Sequence, residues 1–280
     1  MRNVDRWKPT KVIHDAQGFH PSSDTHFLGV ASRLVASCQV QHYRRVIQQH
    51  AAGRLLDLGC GYVPYYELYK DQVQEVVCVD WENSAHKNEF LDFLMDLNMP
   101  LSLESESFDT VLLTDVLEHI YKPAQLLSEV ARVLRQGGHC IIGVPFLYWL
   151  HESPVDFHRY TEFALRKMCG DAGLEIESLT PYGGAPEIVV DIIGKCIATA
   201  KLDMICRMYT AWCDAALKLR PCRALSRKTA ALFPLGYTLA ARKVSADEGS
   251  RPLPSSFVHD PLLKPDDVSL SIPHWGHQNS

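Results

Sequence analysis

Six short apolar runs separated by helix-length stretches constrain this chain more than any other feature. The runs occupy residues 54–58, 75–79, an irregular 90–95, 109–114, 139–144 and 174–180, with amphipathic segments at 124–134 and 162–172 among them. Runs that stay apolar on both sides of the strand are buried on both faces, and a helix between successive runs returns the chain to the starting edge of a sheet. The pattern predicts an α/β fold: a doubly wound, Rossmann-like parallel sheet with helices on both faces. Local punctuation fits it. Thr161 is placed to cap the helix over 162–172, Gly173 to end it, and Gly137-Gly138 to stop the helix before the fifth run.

Other segments flank this core over 24–185. Residues 1–23, broken by Pro9, Gly18 and Pro21, read as a loosely ordered N-terminal arm able to fold over a neighbouring site. From Asp24 the apolar spacing becomes helical, with Ser22, Ser23 or Asp24 as cap and Gly53 as terminator. After Pro181 the pattern is mainly helical and basic, predicting a helical insertion over 186–233 before a last strand in 234–243, which reads GYTLAARK over 236–243. The tail 244–280, rich in Pro, Ser and Asp, is expected to be disordered or peripherally docked.

Charge and cysteine use narrow the function classes. The formal net charge is −5, yet residues 186–243 carry ten basic against four acidic side chains. That block suits an anionic substrate, a peripheral membrane contact over 186–230 or a homodimer surface, while a solvated helix face accounts for it equally well. The acidic remainder disfavours nucleic-acid binding, which needs a broad basic stripe. Nine cysteines without a Cys-x-x-Cys pair suggest reduced thiols in a cytoplasm, with neither a disulfide framework nor a metal site. The most apolar stretch, 185–200, contains Glu187, Asp191 and Lys195, which argues against membrane insertion.

The sharpest motif is LLDLGCG at 55–61: an apolar strand, a carboxylate at Asp57, then the turn Gly59-Cys60-Gly61. Glycine lets backbone turn tightly and approach a ligand at the carboxyl edge of such sheets. Asp80 follows about twenty residues later at the end of the next run, where a carboxylate can accept from two ribose hydroxyls. Pro64 stands where a dinucleotide fingerprint has its third glycine, which disfavours NAD, and suits the first turn of a following helix. Asp96, after the third run, can accept from an adenine amino group.

With LLDLGCG, the segments VVCVD (76–80), MDLN (95–98), FDTVLLTDVLEHI (108–120), LLSEVARVLRQGG (126–138) and AGLEIESL (172–179) resemble a class I S-adenosylmethionine-dependent methyltransferase of the type 11 group over roughly residues 25–182. The resemblance implies S-adenosyl-L-methionine as cofactor. It assigns Asp57, Gly59, Cys60 and Gly61 to the methionine portion, Asp80 to the ribose, Asp96 and Leu97 to the adenine, and Thr114 and Asp115 to the wall after the fourth strand. Val63 replaces the third alternating glycine of the family's fuller form. A narrower resemblance, in His151-Glu152, Pro154, Asp156 and Arg159-Tyr160-Thr161, is to bacterial methyltransferases associated with polysaccharide or sugar modification. It implies O-methylation of a glycan or small-molecule acceptor; a lipid, a quinone or a cofactor-binding scaffold without turnover are the alternatives.

The methyl donor is already activated, so positioning is the expected mechanism. A hydroxyl acceptor must also lose a proton, for which His151 and His158 are the candidate bases. Glu152, Asp156 and Arg159 can bind acceptor hydroxyls, or Arg159 can clamp a carboxylate; Tyr148, Trp149 and Tyr160 can stack on a sugar or belong to the core. His119 either lines the pocket or packs a helix, and Tyr65 and Tyr66 either cover the cofactor or begin a helix.

Overall fold

Alternation along each strand sends side chains to opposite faces of a sheet, and here both faces are covered. The computed structural model describes residues 1–84 and 89–244, so the expectation for the tail lies outside the described residues apart from Val244. In chain order the elements are β1 (Val12–Asp15), β2 (Gly18–Pro21), α1 (Arg33–His50), β3 (Gly53–Leu58), α2 (Tyr66–Tyr69), β4 (Val73–Asp80), β5 (Phe93–Leu94), β6 (Phe108–Thr114), α3 (Pro123–Val133), β7 (Leu134–Pro145), α4 (Glu162–Asp171), β8 (Leu174–Tyr182), α5 (Ala185–Thr199), α6 (Asp203–Leu217), α7 (Arg220–Thr229) and β9 (Gly236–Lys243). Leu56, Leu58, Val77 and Leu113 pack with Leu126, Leu127 and Val130 of α3 and Leu165 of α4. On the other face Leu55, Val76, Cys78 and Leu112 pack with Val40, Tyr43 and Ile47 of α1 and Tyr69 of α2. Each such fully buried aliphatic side chain contributes about 1.5–3 kcal/mol.

The main sheet has the order β5-β4-β3-β6-β7-β9-β8. It is mixed rather than parallel throughout: β9 runs antiparallel to both β7 and β8. The reason is where the insertion begins and ends. Tyr182, the last residue of β8, pairs with Gly236, the first of β9, so α5, α6 and α7 leave and re-enter the sheet at one edge and the returning strand must run backwards. Pro145 of β7 pairs with the same Gly236, which puts the insertion at the carboxyl edge of the parallel strands.

Several local expectations are corrected. Residues 1–23 are ordered: β1 and β2 form a hairpin, Val12 is fully buried, and the terminal ammonium lies 3.1 Å from Asp92. Burial of one apolar side chain and pairing of the hairpin amides outweigh the polar composition. The first long helix begins at Arg33 after a 3-10 turn at Val30–Ser32, not at Asp24, and ends at His50. Gly53 instead opens β3 at φ +60, where a Cβ would collide with the Asp109 carboxylate. Gly137 and Gly138 sit inside β7, in a bulge between the pairs Leu134–Phe108 and His139–Thr110. Pro64 precedes, rather than opens, the four-residue α2. Thr161 does cap α4, its Oγ1 accepting from Ala164 N at 3.2 Å, worth about 1 kcal/mol.

Candidate functional site

The carboxyl ends of β3, β4, β6 and β7 open into one cavity of about 920 Å³. One end of it is built from the turn after β3. Gly59 and Cys60 donate N–H to Val79 O at 2.8 and 3.1 Å, and Gly61 N–H donates to Asp80 Oδ2 at 2.9 Å. Gly59 has φ +70, and a Cβ there would stand 2.6 Å from Val116 Cγ2, so the turn needs glycine on both conformational and steric grounds. Val63 adopts a left-handed φ of 51 while fully buried, keeping a glycine-like backbone at the place of the missing third glycine. Asp80 borders the cavity and also accepts from Trp81 N at 2.7 Å.

Asp57 does not border the cavity. It sits on the α1 and α2 face, accepts a 2.7 Å hydrogen bond from Tyr69 OH, and burial pushes its carboxyl up to about 7. Asp96 and Leu97 lie at the cavity wall beyond β5, Asp96 exposed and accepting from Asn98 N at 2.9 Å, Leu97 buried. Thr114 and Asp115 form the wall after β6. Asp115 accepts from Gln39 Nε2 at 3.0 Å, Tyr43 OH at 2.8 Å and Tyr65 OH at 3.2 Å, with Lys11 Nζ 3.5 Å away. Burial, reinforced by the Asp115 charge, holds both tyrosine hydroxyls well above their ordinary value, so they stay protonated donors. Lys11, Gln39 and Tyr43 were missed in the sequence, because their positions mark only an arm and a helix face.

The other end follows β7. Tyr148, His151 and Glu152 border the cavity; His158, Trp149, Asp156, Arg159 and Tyr160 do not. Arg159 grips Asp156 through two contacts, Nη1–Oδ1 at 2.5 Å and Nη2–Oδ2 at 2.8 Å, and donates to Trp149 O at 2.9 Å: it is the clamp of this loop. Burial raises the Asp156 carboxyl, but Arg159 and the His151 amide outweigh it and leave it well below the carboxylate range. Tyr160 is core, its hydroxyl donating to Leu117 O at 2.8 Å. Trp149 is half exposed, with Lys195 Nζ 5.2 Å from its ring and 3.4 Å from that of Tyr148. Lys195 pairs with Asp191 at 2.6 Å, and burial draws its ammonium down to about 8.

His151 has its imidazole lowered by burial and then by His119, which favours its neutral form. Its Nδ1 faces Asp156 Oδ2 at 3.2 Å and its Nε2 lies 3.8 Å from Glu118 Oε1. Glu118 borders the cavity, is 0% exposed, and neither carboxyl oxygen has a hydrogen-bond partner. Burial, and next the Asp115 charge, push its carboxyl well above the ordinary value. His119 also lines the cavity; its Nδ1 donates to Val155 O at 2.8 Å.

These features coincide with known proteins. Residues 56–142 match the methyltransferase domain family. The fold is a methyltransferase fold: a SAM dependent methyltransferase from Archaeoglobus fulgidus superposes with a TM-score of 0.51 at 18% identity, covering 79% of this chain and all of that one. A probable S-adenosylmethionine-dependent methyltransferase of Mycolicibacterium smegmatis is 31% identical over 155 residues, 51% of this chain and 60% of the relative. The chain thus spans about three fifths of that relative's length. A ubiquinone biosynthesis O-methyltransferase of Parvibaculum lavamentivorans is 23% identical over 200 residues, 62% of this chain and 77% of the relative. Among the described residues no helix is long and apolar enough to cross a membrane.

Proposed function

We propose that the protein is an S-adenosylmethionine-dependent methyltransferase that O-methylates a sugar or glycan-related acceptor. The observation that carries the cofactor is the Gly59 turn beside the Asp80 carboxylate at one end of a cavity of about 920 Å³. A Cβ at Gly59 would drive into Val116, which lines the cavity, and Asp80, its Oδ2 tied to Gly61 N–H, sets a carboxylate at the cavity wall of the kind that accepts from ribose hydroxyls. When bound, the cofactor supplies an electrophilic methyl group on a sulfonium. The chain's task is orientation: Asp80 holds the sugar end, Leu97 gives an apolar wall for the base, and Asp115, fixed by Gln39, Tyr43 and Tyr65, is a rigid carboxylate beside the methionine end.

At the other end, Tyr148 offers an aromatic face and Glu152 a carboxylate for acceptor hydroxyls. Of the two candidate bases only His151 borders the cavity, which supports its Nε2 as the atom that takes the acceptor's proton. The second reading, a quinone or other lipid-like acceptor, is favoured by the named function of the Parvibaculum relative and by exposed apolar side chains on α5 and α6, among them Ile192, Met204, Met208 and Trp212. Arg207, Lys218 and Arg223 lie on the same insertion and would face anionic headgroups.

Calorimetry with S-adenosylhomocysteine tests the first step: binding is expected, with Asp80→Ala losing at least about tenfold in affinity, as for a lost charge-assisted hydrogen bond. No binding, or equal affinity in the variant, refutes the pocket. Labelled methyl donor offered with glycan and quinone pools separates the acceptors, and binding without turnover on any pool would make the domain a scaffold.

A further inference from the structure

Three acceptor atoms confront one another at the acceptor end of the cavity. Glu118 Oε1 lies 3.8 Å from His119 Nε2 and 3.8 Å from His151 Nε2, and the three ligand atoms fall within 4.8 Å of one another. Both imidazoles are oriented to expose lone pairs there. His119 Nδ1 donates to a backbone carbonyl, which only accepts, so Nδ1 carries the proton and Nε2 is bare. His151 Nδ1 makes no hydrogen bond, but the Asp156 carboxylate 3.2 Å away, fixed by Arg159, favours the proton on that nitrogen by its charge. A carbonyl behind one imidazole and a carboxylate behind the other are the outer contacts that orient metal-ligating histidines. The Glu118 carboxyl, wholly buried with both oxygens unpartnered, faces the same point. Lone pairs converging in a low-dielectric site repel unless a proton or a metal cation stands between them, and a cation satisfies all three groups at once.

We propose that Glu118, His119 and His151 bind one divalent transition-metal cation at the acceptor end of the cavity. Two nitrogens and one carboxylate oxygen suit zinc, cobalt or manganese better than calcium. Ligands about 2.1 Å from a common ion stand about 3.0–3.5 Å apart, so on loading Glu118 closes on each histidine by about half an ångström from 3.8 Å, and the widest pair, within 4.8 Å, closes by more than an ångström. Glu152, whose Oε2 is 3.9 Å from His119 Nε2, stands at the rim of the same site. The remaining coordination positions face the cavity, where a hydroxyl-bearing acceptor can occupy them; this part rests on the methyl-transfer reading. A cation on His151 Nε2 uses the lone pair that a proton would take, so in the loaded protein His151 holds the acceptor through the cation.

Another trio, His50, His139 and Glu177, does not carry the same argument. Its carboxylate already pairs with His139 at 3.1 Å and with Arg242 at 3.3 Å.

Cobalt(II) titrated into the full chain, followed by visible absorption and calorimetry in a His139→Ala background that removes the second trio, tests the site. One ion per chain is expected, with bands of mixed nitrogen and oxygen ligation, and a loss of at least about tenfold in affinity in Glu118→Gln and in His119→Gln. Thermal stability without metal and S-adenosylhomocysteine affinity are measured alongside. Should one variant fail to fold, the other carries the comparison. Binding no tighter than about 1 mM, or binding that a folded variant leaves unchanged, overturns the cation site even if S-adenosylhomocysteine still binds. Cobalt binding with no S-adenosylhomocysteine binding supports the cation site and refutes the methyl-transfer reading instead.

Discussion

Asp57 gives the most direct quantitative prediction. Its carboxyl is buried beneath the glycine turn with the Tyr69 hydroxyl as partner, and burial pushes it from 3.8 up to about 7. The folded chain therefore holds this proton more tightly than the unfolded chain. Stability from Asp57 is fully present below about pH 4 and is lost as pH rises towards about 7. At about 1.4 kcal/mol per pH unit, the whole interval is worth about 4 kcal/mol, of which roughly 2.5 kcal/mol falls between pH 5 and pH 8. Asp57→Asn keeps an oxygen that can accept from Tyr69 and removes the titration. Urea unfolding at pH 5, 6, 7 and 8 should show the variant gaining roughly 2.5 kcal/mol on the parent across that range. Parallel stability curves for the two proteins would refute the assignment of a protonated carboxyl at this position.

Gly59→Ala should abolish S-adenosylhomocysteine binding and cost about 1–3 kcal/mol of stability, because φ is +70 and the added carbon meets Val116; unaltered binding by calorimetry would contradict the turn's role. Flotation with anionic vesicles at low salt should recover the protein if α5 and α6 contact lipid, and Met208→Asp with Trp212→Asp should release it. These side chains are 68% and 70% exposed, so loss of folding is not expected to confuse the result.

Much of the sheet was legible because burial on both faces leaves long apolar runs that composition alone betrays. The last strand, 236–243, and the Thr161 cap are read straight from local pattern. The direction of β9 was not, since it depends on the insertion leaving and re-entering at Tyr182 and Gly236, a fact of tertiary geometry. The N-terminal hairpin was hidden for a similar reason: Val12 is one apolar residue in a polar stretch, and its burial is supplied by α1 and α2. In the site, Gly59 and Asp80 announce themselves by spacing along the chain. Glu118 and His119 were visible as neighbours, but their meeting with His151 needs the loop after β7 to be held by Arg159 and Asp156. For Asp156 and Arg159 the sequence left acceptor binding and a clamp equally open, and only their contact in three dimensions decides for the clamp.

Because β8 stops where β9 starts, the roughly fifty residues between them form a closed excursion whose two feet stand side by side on the strand ladder. Such an excursion can lengthen, shorten or change character without shifting the register of any strand or disturbing the turn after β3. A foreign segment grafted between Tyr182 and Gly236 would leave the cavity wall in place, because none of residues 183–234 lines it.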